Sequence, residues 1–124
     1  MGWDEIKYFK PHEFDSPDSP GSGASGMSLE FVRKLDKLRE AVKQPLNIKS
    51  GYRTSEHNAK VGGVDSSSHE SGRAVDVAAL SSGTRYAIME AALRIGFRRV
   101  GLGATFVHID DDPTKPQDVL WTYY

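Results

Sequence analysis

The chain carries four histidines, His12, His57, His69 and His108, and no cysteine. Disulfides and thiolate zinc sites are both excluded, so any metal site must use imidazole and carboxylate donors. Two segments hold such donors in an ordered pattern: residues 73–80 read RAVDVAAL and residues 104–110 read ATFVHID. If both are strands, Val75 and Val77 face one side, with Ala74, Asp76 and Ala78 on the other. Likewise Val107 and Ile109 oppose Phe106, His108 and Asp110. With the valine faces packed on helices, Asp76, His108 and Asp110 share the open face, and the alanines flanking Asp76 leave room there. His69, seven residues before Asp76, closes a polar loop that can fold back over them. Two imidazoles and one carboxylate from His69, Asp76 and His108 form a suitable zinc set. Three protein ligands with a fourth position left for water is the catalytic arrangement, whereas structural zinc normally has four. Such a water has its pKa lowered to about 7, and the ion polarises a carbonyl. His12 and His57 lie in polar segments without a partner at useful spacing.

These donors need a scaffold. Ser28 offers an N-cap to LEFVRKLDKLREAVK, in which Leu29, Val32, Leu35, Leu38 and Val42 recur at spacings of three and four. This predicts a helix over 29–43, ended by Pro45. LNIKSG (46–51) alternates and reads as a strand. Thr54 or Ser55 caps a short helix over EHNAKV, stopped by Gly62–Gly63. VDSSSHESG is a polar loop. SSGTRYAIMEAALRIG (81–96) supplies a second amphipathic helix with a Ser cap and a terminal Gly96. FRRVGLG and ATFVHID read as a β-hairpin with Gly101–Gly103 near the turn. DDPTKPQD is a loop, and VLWTYY closes the chain as an edge strand, with Trp121 a core or edge aromatic. Residues 1–14, with Trp3, Tyr8, Phe9 and Phe14, read as an ordered arm. Residues 15–26, DSPDSPGSGASG, read as a flexible loop. The expected fold is α+β: one domain over 1–124, with a small antiparallel sheet packed against two main helices and the zinc site on the open sheet face.

At 124 residues, with 38% hydrophobic and 27% charged, the chain is ordinary for one globular domain. The net charge of -1 disfavours nucleic acid and anionic membranes as partners. No stretch approaches the ~20 apolar residues of a membrane span, and the opening MGWDEIKYFK has no signal-peptide pattern. A monomer is expected.

The segment Ser67-Ser68-His69-Glu70-Ser71-Gly72-Arg73-Ala74-Val75-Asp76 fits S-x-H-x-x-G-x-A-x-D. Together with Ser50-Gly51-Tyr52-Arg53-Thr54, Asn58, Phe106-Val107-His108-Ile109-Asp110 and Trp121-Thr122-Tyr123, it resembles the zinc D-Ala-D-Ala carboxypeptidase family (peptidase M15-like). That family includes phage endolysins and vancomycin-resistance dipeptidases, and the Hedgehog signalling domain shares its fold. The resemblance runs from about Phe9 to the C-terminus. It implies that His69, Asp76 and His108 bind Zn2+, that Arg53 polarises the scissile carbonyl or holds a substrate carboxylate, and that Ser67 contacts substrate polar groups. It also implies a peptidase acting on the peptide part of bacterial peptidoglycan, as a D,D-carboxypeptidase, a D,D-endopeptidase or an endopeptidase at L-Ala-D-Glu. Action at the cell wall without a visible leader fits a phage-derived lysin released by membrane permeabilisation, and fits equally a host protein missing its leader. Many members carry a carboxylate general base three residues before the final ligand, where this chain has Thr105. Others carry a second His at the position of Phe106. Asp110 is the first candidate for the missing base, with an imidazole-orienting role as its alternative; Glu70, Glu56 and Glu13 are weaker candidates. The rival reading is a zinc-stabilised domain that binds cell wall or protein without turnover.

Overall fold

Helix formation follows the caps that the sequence offers. The computed structural model describes residues 2–124. Helix α1 (Ser22–Gly26) is short. Helix α2 (Leu29–Val42) begins where the Ser28 hydroxyl accepts the Phe31 N–H, and ends at Lys43, which adopts a left-handed conformation two residues ahead of Pro45. Helix α3 (Ser55–Lys60) is capped by Thr54, and α4 (Ser82–Ile95) by Ser81 at its start and left-handed Gly96 at its end.

The five strands are β1 (Ile48–Ser50), β2 (Ala74–Ala78), β3 (Arg99–Leu102), β4 (Phe106–Asp110) and β5 (Val119–Thr122). They form one sheet in the order β1-β2-β4-β3-β5. The first four pair antiparallel, as expected. β5 lies parallel to β3, so the sheet is mixed. The reason is geometric. β4 ends beside the start of β3, where Asp110 faces Arg99, and the loop over 111–118 carries the chain across that end. Val119 then meets Arg99 and must run in the direction of β3.

One sheet face is apolar. Val75, Val77, Val100, Val107 and Ile109 are fully buried with Phe31, Leu35, Leu38 and Ile88 of α2 and α4. Helix α4 packs on β3 and β4, and α2 packs on α4. Of the arm expected over 1–14, residues 2–14 are ordered by their aromatics: Phe9 and Phe14 are buried, and the rings of Trp3 and Phe9 lie 5.6 and 5.5 Å from that of Phe14. The stretch 15–26, read from its composition as a loop, carries α1. Its turn is tied by Asp15, whose carboxylate accepts the N–H groups of Gly21 and Gly23 at 2.9 and 2.8 Å. Those local side-chain bonds compensate for a Gly/Ser composition that forms no helix alone.

Candidate metal centre

The register of β2 against β4 brings two chemical groups into contact. Asp76 lies directly opposite His108, with Val75 opposite Ile109 and Val77 opposite Val107. The apolar face that drives folding therefore fixes the polar pair on the other side. His69 is held by a tight turn. The Glu70 N–H bonds the Ser67 carbonyl and the Gly72 N–H bonds the His69 carbonyl. Gly72 sits at φ 72, with the Gly26 carbonyl oxygen 1.9 Å from where a Cβ would be, so only glycine fits. The Arg53 N–H donates to the His69 carbonyl at 3.1 Å and anchors this turn to the end of β1.

The imidazoles are oriented by their outer nitrogens. His69 Nδ1–H donates to the Gly51 carbonyl at 2.8 Å, which leaves Nε2 turned toward Asp76 Oδ1, 3.5 Å away. His108 Nδ1 lies 2.9 Å from the same Asp76 oxygen, while Nε2, on the opposite edge of the ring, lies 2.7 Å from Asp110 Oδ2. One donor atom from each of His69, Asp76 and His108 falls within 4.8 Å of the others. This is the one such group among the described residues. Neither His12 nor His57 joins it.

The charges reinforce one another. Burial raises the Asp76 carboxyl, but hydrogen bonds from His108 and His69 outweigh it and hold the group well below the usual carboxylate range. Burial lowers His108, yet its bonds to Asp110 and Asp76 raise it above an ordinary histidine. Asp110 is lowered in the same way: burial opposes, and His108, the Asp112 N–H and Arg99 prevail. The residue is 0% exposed, with Oδ1 accepting from Arg99 Nε at 2.6 Å and from the Asp112 N–H at 3.1 Å. Both oxygens of Asp110 are thus engaged, on the far side of the His108 ring from Asp76.

Arg53 stands beside the cluster. Its Nε donates to Ser50 Oγ at 3.1 Å, Nη1 to Asn58 Oδ1 at 3.2 Å, and Nη2 reaches Asp76 Oδ2 at 3.5 Å. Ser67 Oγ accepts the His69 N–H at 3.2 Å and borders the same cavity of about 360 Å³. Thr105 lies exposed in the β3–β4 turn, its carbonyl bonded to the Ala79 N–H. Glu70 accepts from Asn58 Nδ2 at 2.8 Å and so braces Arg53 indirectly.

Several contributors escaped sequence reasoning. Arg99 pairs with Asp110 only through the hairpin register. Gly101 faces His108, and a Cβ there would lie 2.5 Å from Trp121 Nε1. Its absence lets the Trp121 ring close to 5.4 Å from that of His108. Ser68 donates to Asp112 Oδ2 at 2.7 Å and ties the His69 turn to the end of β4. The alternation signal for these residues is present in β3, but their partners are set by pairing that no local pattern specifies.

A family model described as Peptidase M15 matches residues 7–110, a span that contains Arg53, Ser67, His69, Asp76, His108 and Asp110. No curated protein matches the chain. Peptidases of this family are metal-dependent, and the His/Asp/His group is a possible site for the ion. The match covers most of the chain, which therefore belongs to the peptidase M15 family, within the zinc D-Ala-D-Ala carboxypeptidase superfamily.

Proposed function

We propose that the protein is a zinc peptidase that hydrolyses amide bonds in the peptide part of bacterial peptidoglycan. The observation that carries this reading is the convergence of His69 Nε2, Asp76 Oδ1 and His108 Nδ1, with each imidazole fixed from behind by a hydrogen-bond partner. The donor set fits the ion. In a tetrahedral zinc shell with bonds of about 2.0–2.2 Å, ligand atoms stand about 3.3–3.5 Å apart. From Asp76 Oδ1, the 3.5 Å to His69 Nε2 matches that spacing, and the 2.9 Å to His108 Nδ1 is a hydrogen-bond length a few tenths of an ångström short of it. Outer partners of this kind, a carbonyl on one histidine and a carboxylate on the other, are what metal-bound imidazoles use to fix their tautomers.

Zinc held by His69, Asp76 and His108 would supply Lewis-acid activation of water near neutrality, chemistry that would not require a carboxylate at the position of Thr105. The protein's own groups do the remaining work. Arg53, prearranged by Ser50 and Asn58, offers its outer N–H groups to the oxygen that becomes negative during attack. Ser67 borders the cavity as a polar contact for substrate. Asp110 lines the cavity but acts through His108 as a positioning residue, because both its oxygens are already engaged by His108, Arg99 and the Asp112 N–H. The working place is the cell wall; no helix among the described residues is long and apolar enough to cross a membrane.

Incubation with purified peptidoglycan, followed by mass spectrometry of the products, tests this reading. New amine and carboxyl ends that vanish with chelator and return with zinc are expected. Thr105 favours one rival, a zinc-stabilised binding domain. That rival predicts zinc-dependent folding and wall binding with no new ends.

A further inference from the structure

Residues 110–112 read Asp-Asp-Asp, and the three carboxylates reach three different segments. Asp110 Oδ2 meets His108 Nε2 at 2.7 Å, two residues back along β4. Asp111 reaches across to the start of β2. Its Oδ1 and Oδ2 accept from Arg73 Nε and Nη2 at 3.0 and 3.2 Å, and its N–H donates to the Arg73 carbonyl at 3.2 Å. Arg73 stands three residues before Asp76. Asp112 Oδ2 accepts the Ser68 hydroxyl at 2.7 Å, and Ser68 is the chain neighbour of His69. Each segment that carries a metal-ligand candidate is thus gripped by one carboxylate of a single three-residue run.

These grips are sheltered from water. Asp110, Asp112 and Ser68 are all buried, and the side chain of Asp111 is 9% exposed. Each carboxylate has its own cation: Arg99 for Asp110, Arg73 and Lys34 for Asp111, and Lys115, at 3.8 Å, for Asp112. All of their oxygens are engaged, so the run is not a second metal site; among the described residues only His69, Asp76 and His108 converge in that way. Burying three adjacent carboxylates costs desolvation and mutual repulsion, and apolar side chains would fill the same space with less penalty. What the carboxylates supply is placement. A ligand set drawn from three separate segments binds tightly when those segments are held in register beforehand.

Resting on the metal-centre reading of His69, Asp76 and His108, we infer that the run Asp110-Asp111-Asp112 is a clasp that sets the mutual positions of the three ligands. Asp110 orients the His108 ring. Asp111, through Arg73, fixes where β2 carries Asp76. Asp112, through Ser68, fixes the turn that carries His69. Asp111, Asp112 and Ser68 are therefore positioning residues: none supplies a ligand atom, and all three govern how well the ligand atoms meet one ion. The clasp continues directly from β4, so the same β2–β4 register that opposes Asp76 to His108 also brings the run to Arg73 and Ser68.

The test cuts the ties one at a time. Ser68→Ala removes the hydroxyl that reaches Asp112, and Asp111→Asn leaves the two-pronged Arg73 fork with one acceptor. Leu35→Ala serves as the control, because it loosens the core at a fully buried position of α2 on the other side of the sheet. Competition with a chromophoric chelator gives the zinc Kd of the folded protein, and thermal melting without metal gives Tm. The clasp predicts a Kd weakened by about tenfold or more in each tie variant, as for other lost outer partners of metal ligands. In Leu35→Ala the Kd should stay within about twofold of wild type while Tm falls. Cobalt(II) in place of zinc gives a second readout: its visible bands, which report coordination geometry, should change in the tie variants and keep the wild-type shape in Leu35→Ala. If Asp111→Asn fails to fold, Ser68→Ala, which deletes one hydroxyl, decides alone. A wild-type Kd and cobalt spectrum in either folded tie variant, or an equal weakening in Leu35→Ala, overturns the clasp and leaves the metal centre intact. Zinc binding that is unaffected by His108→Ala overturns the metal-centre reading itself.

Discussion

Replacing Asp110 with asparagine separates action through His108 from action on the reacting water. All three groups around this carboxylate donate to it: His108 Nε2 at 2.7 Å, Arg99 Nε at 2.6 Å and the Asp112 N–H at 3.1 Å. Asparagine offers one acceptor and one donor in the same shape. If its oxygen stays with Arg99 and Asp112, its NH2 faces His108 Nε2. The ring proton must then sit on Nδ1, the nitrogen that faces Asp76 and is proposed to bind zinc. Losing such an outer partner costs roughly 10–100-fold in metal affinity, or about 1.4–2.7 kcal/mol. In the other orientation the NH2 meets Arg99 Nε donor to donor and leaves that buried N–H without an acceptor, about 1–3 kcal/mol beyond the ion pair that either orientation forfeits. The cheaper orientation prevails, so Asp110→Asn should fold and bind zinc about 10–100-fold more weakly. Competition with a chromophoric chelator gives the zinc Kd, and kcat is then measured at saturating zinc. Positioning predicts a weakened Kd and a kcat largely restored by excess zinc. A loss of about 10²–10⁴ in kcat at full zinc occupancy, with the Kd unchanged, refutes the argument and returns Asp110 to the role of base.

Other perturbations probe separate links. Arg53→Lys keeps a charge but loses the fork held by Ser50 and Asn58, so kcat should fall about 10²–10³-fold with zinc content unchanged, as read by single-turnover kinetics. The zinc-free protein should also respond to pH in a defined sense. His108 is raised, so its contribution to stability is complete below about pH 6.5 and lost as pH rises through the folded-state value. Asp76, Asp110 and Asp112 are lowered, so theirs are present above about pH 4 and lost on acidification. Melting curves should show a lower Tm at pH 8 than at pH 5 without zinc, and a larger gain from zinc at pH 8, because the ion requires deprotonated imidazoles. An equal Tm at both pH values contradicts this. Phe31→Ala, at a fully buried position between the helices and the sheet, should cost about 3–5 kcal/mol in urea unfolding without changing the zinc stoichiometry of the folded fraction.

Features written in local patterns were legible in the sequence. Ser28 and Ser81 cap the helices their positions predict, and the alternation in 73–80 and 104–110 sorts Val75, Val77, Val107 and Ile109 to the core. Because strand alternation has a period of two, the same pattern puts Asp76 and His108 on the opposite face, and the core then sets their register. What depended on distant partners was not legible. The parallel entry of β5 follows from which end of the sheet the 111–118 loop crosses, and its composition says nothing of that. Helix α1 stands because Asp15 reaches Gly21 and Gly23, against the propensity of its residues. The Arg99–Asp110 pair, which occupies Asp110 Oδ1, arises only when β3 and β4 align. A cavity of about 240 Å³ where Glu13, Asp15 and Pro17 meet β1 joins segments more than thirty residues apart.

Metal content of the purified protein bears most directly on the central assignment. After exhaustive dialysis, elemental mass spectrometry should find about one zinc per chain in the wild type. His69→Ala, Asp76→Ala and His108→Ala should each retain less than about a tenth of that, while His57→Ala stays at the wild-type level. Full zinc stoichiometry in any of the three ligand variants would place the ion elsewhere and contradict the account.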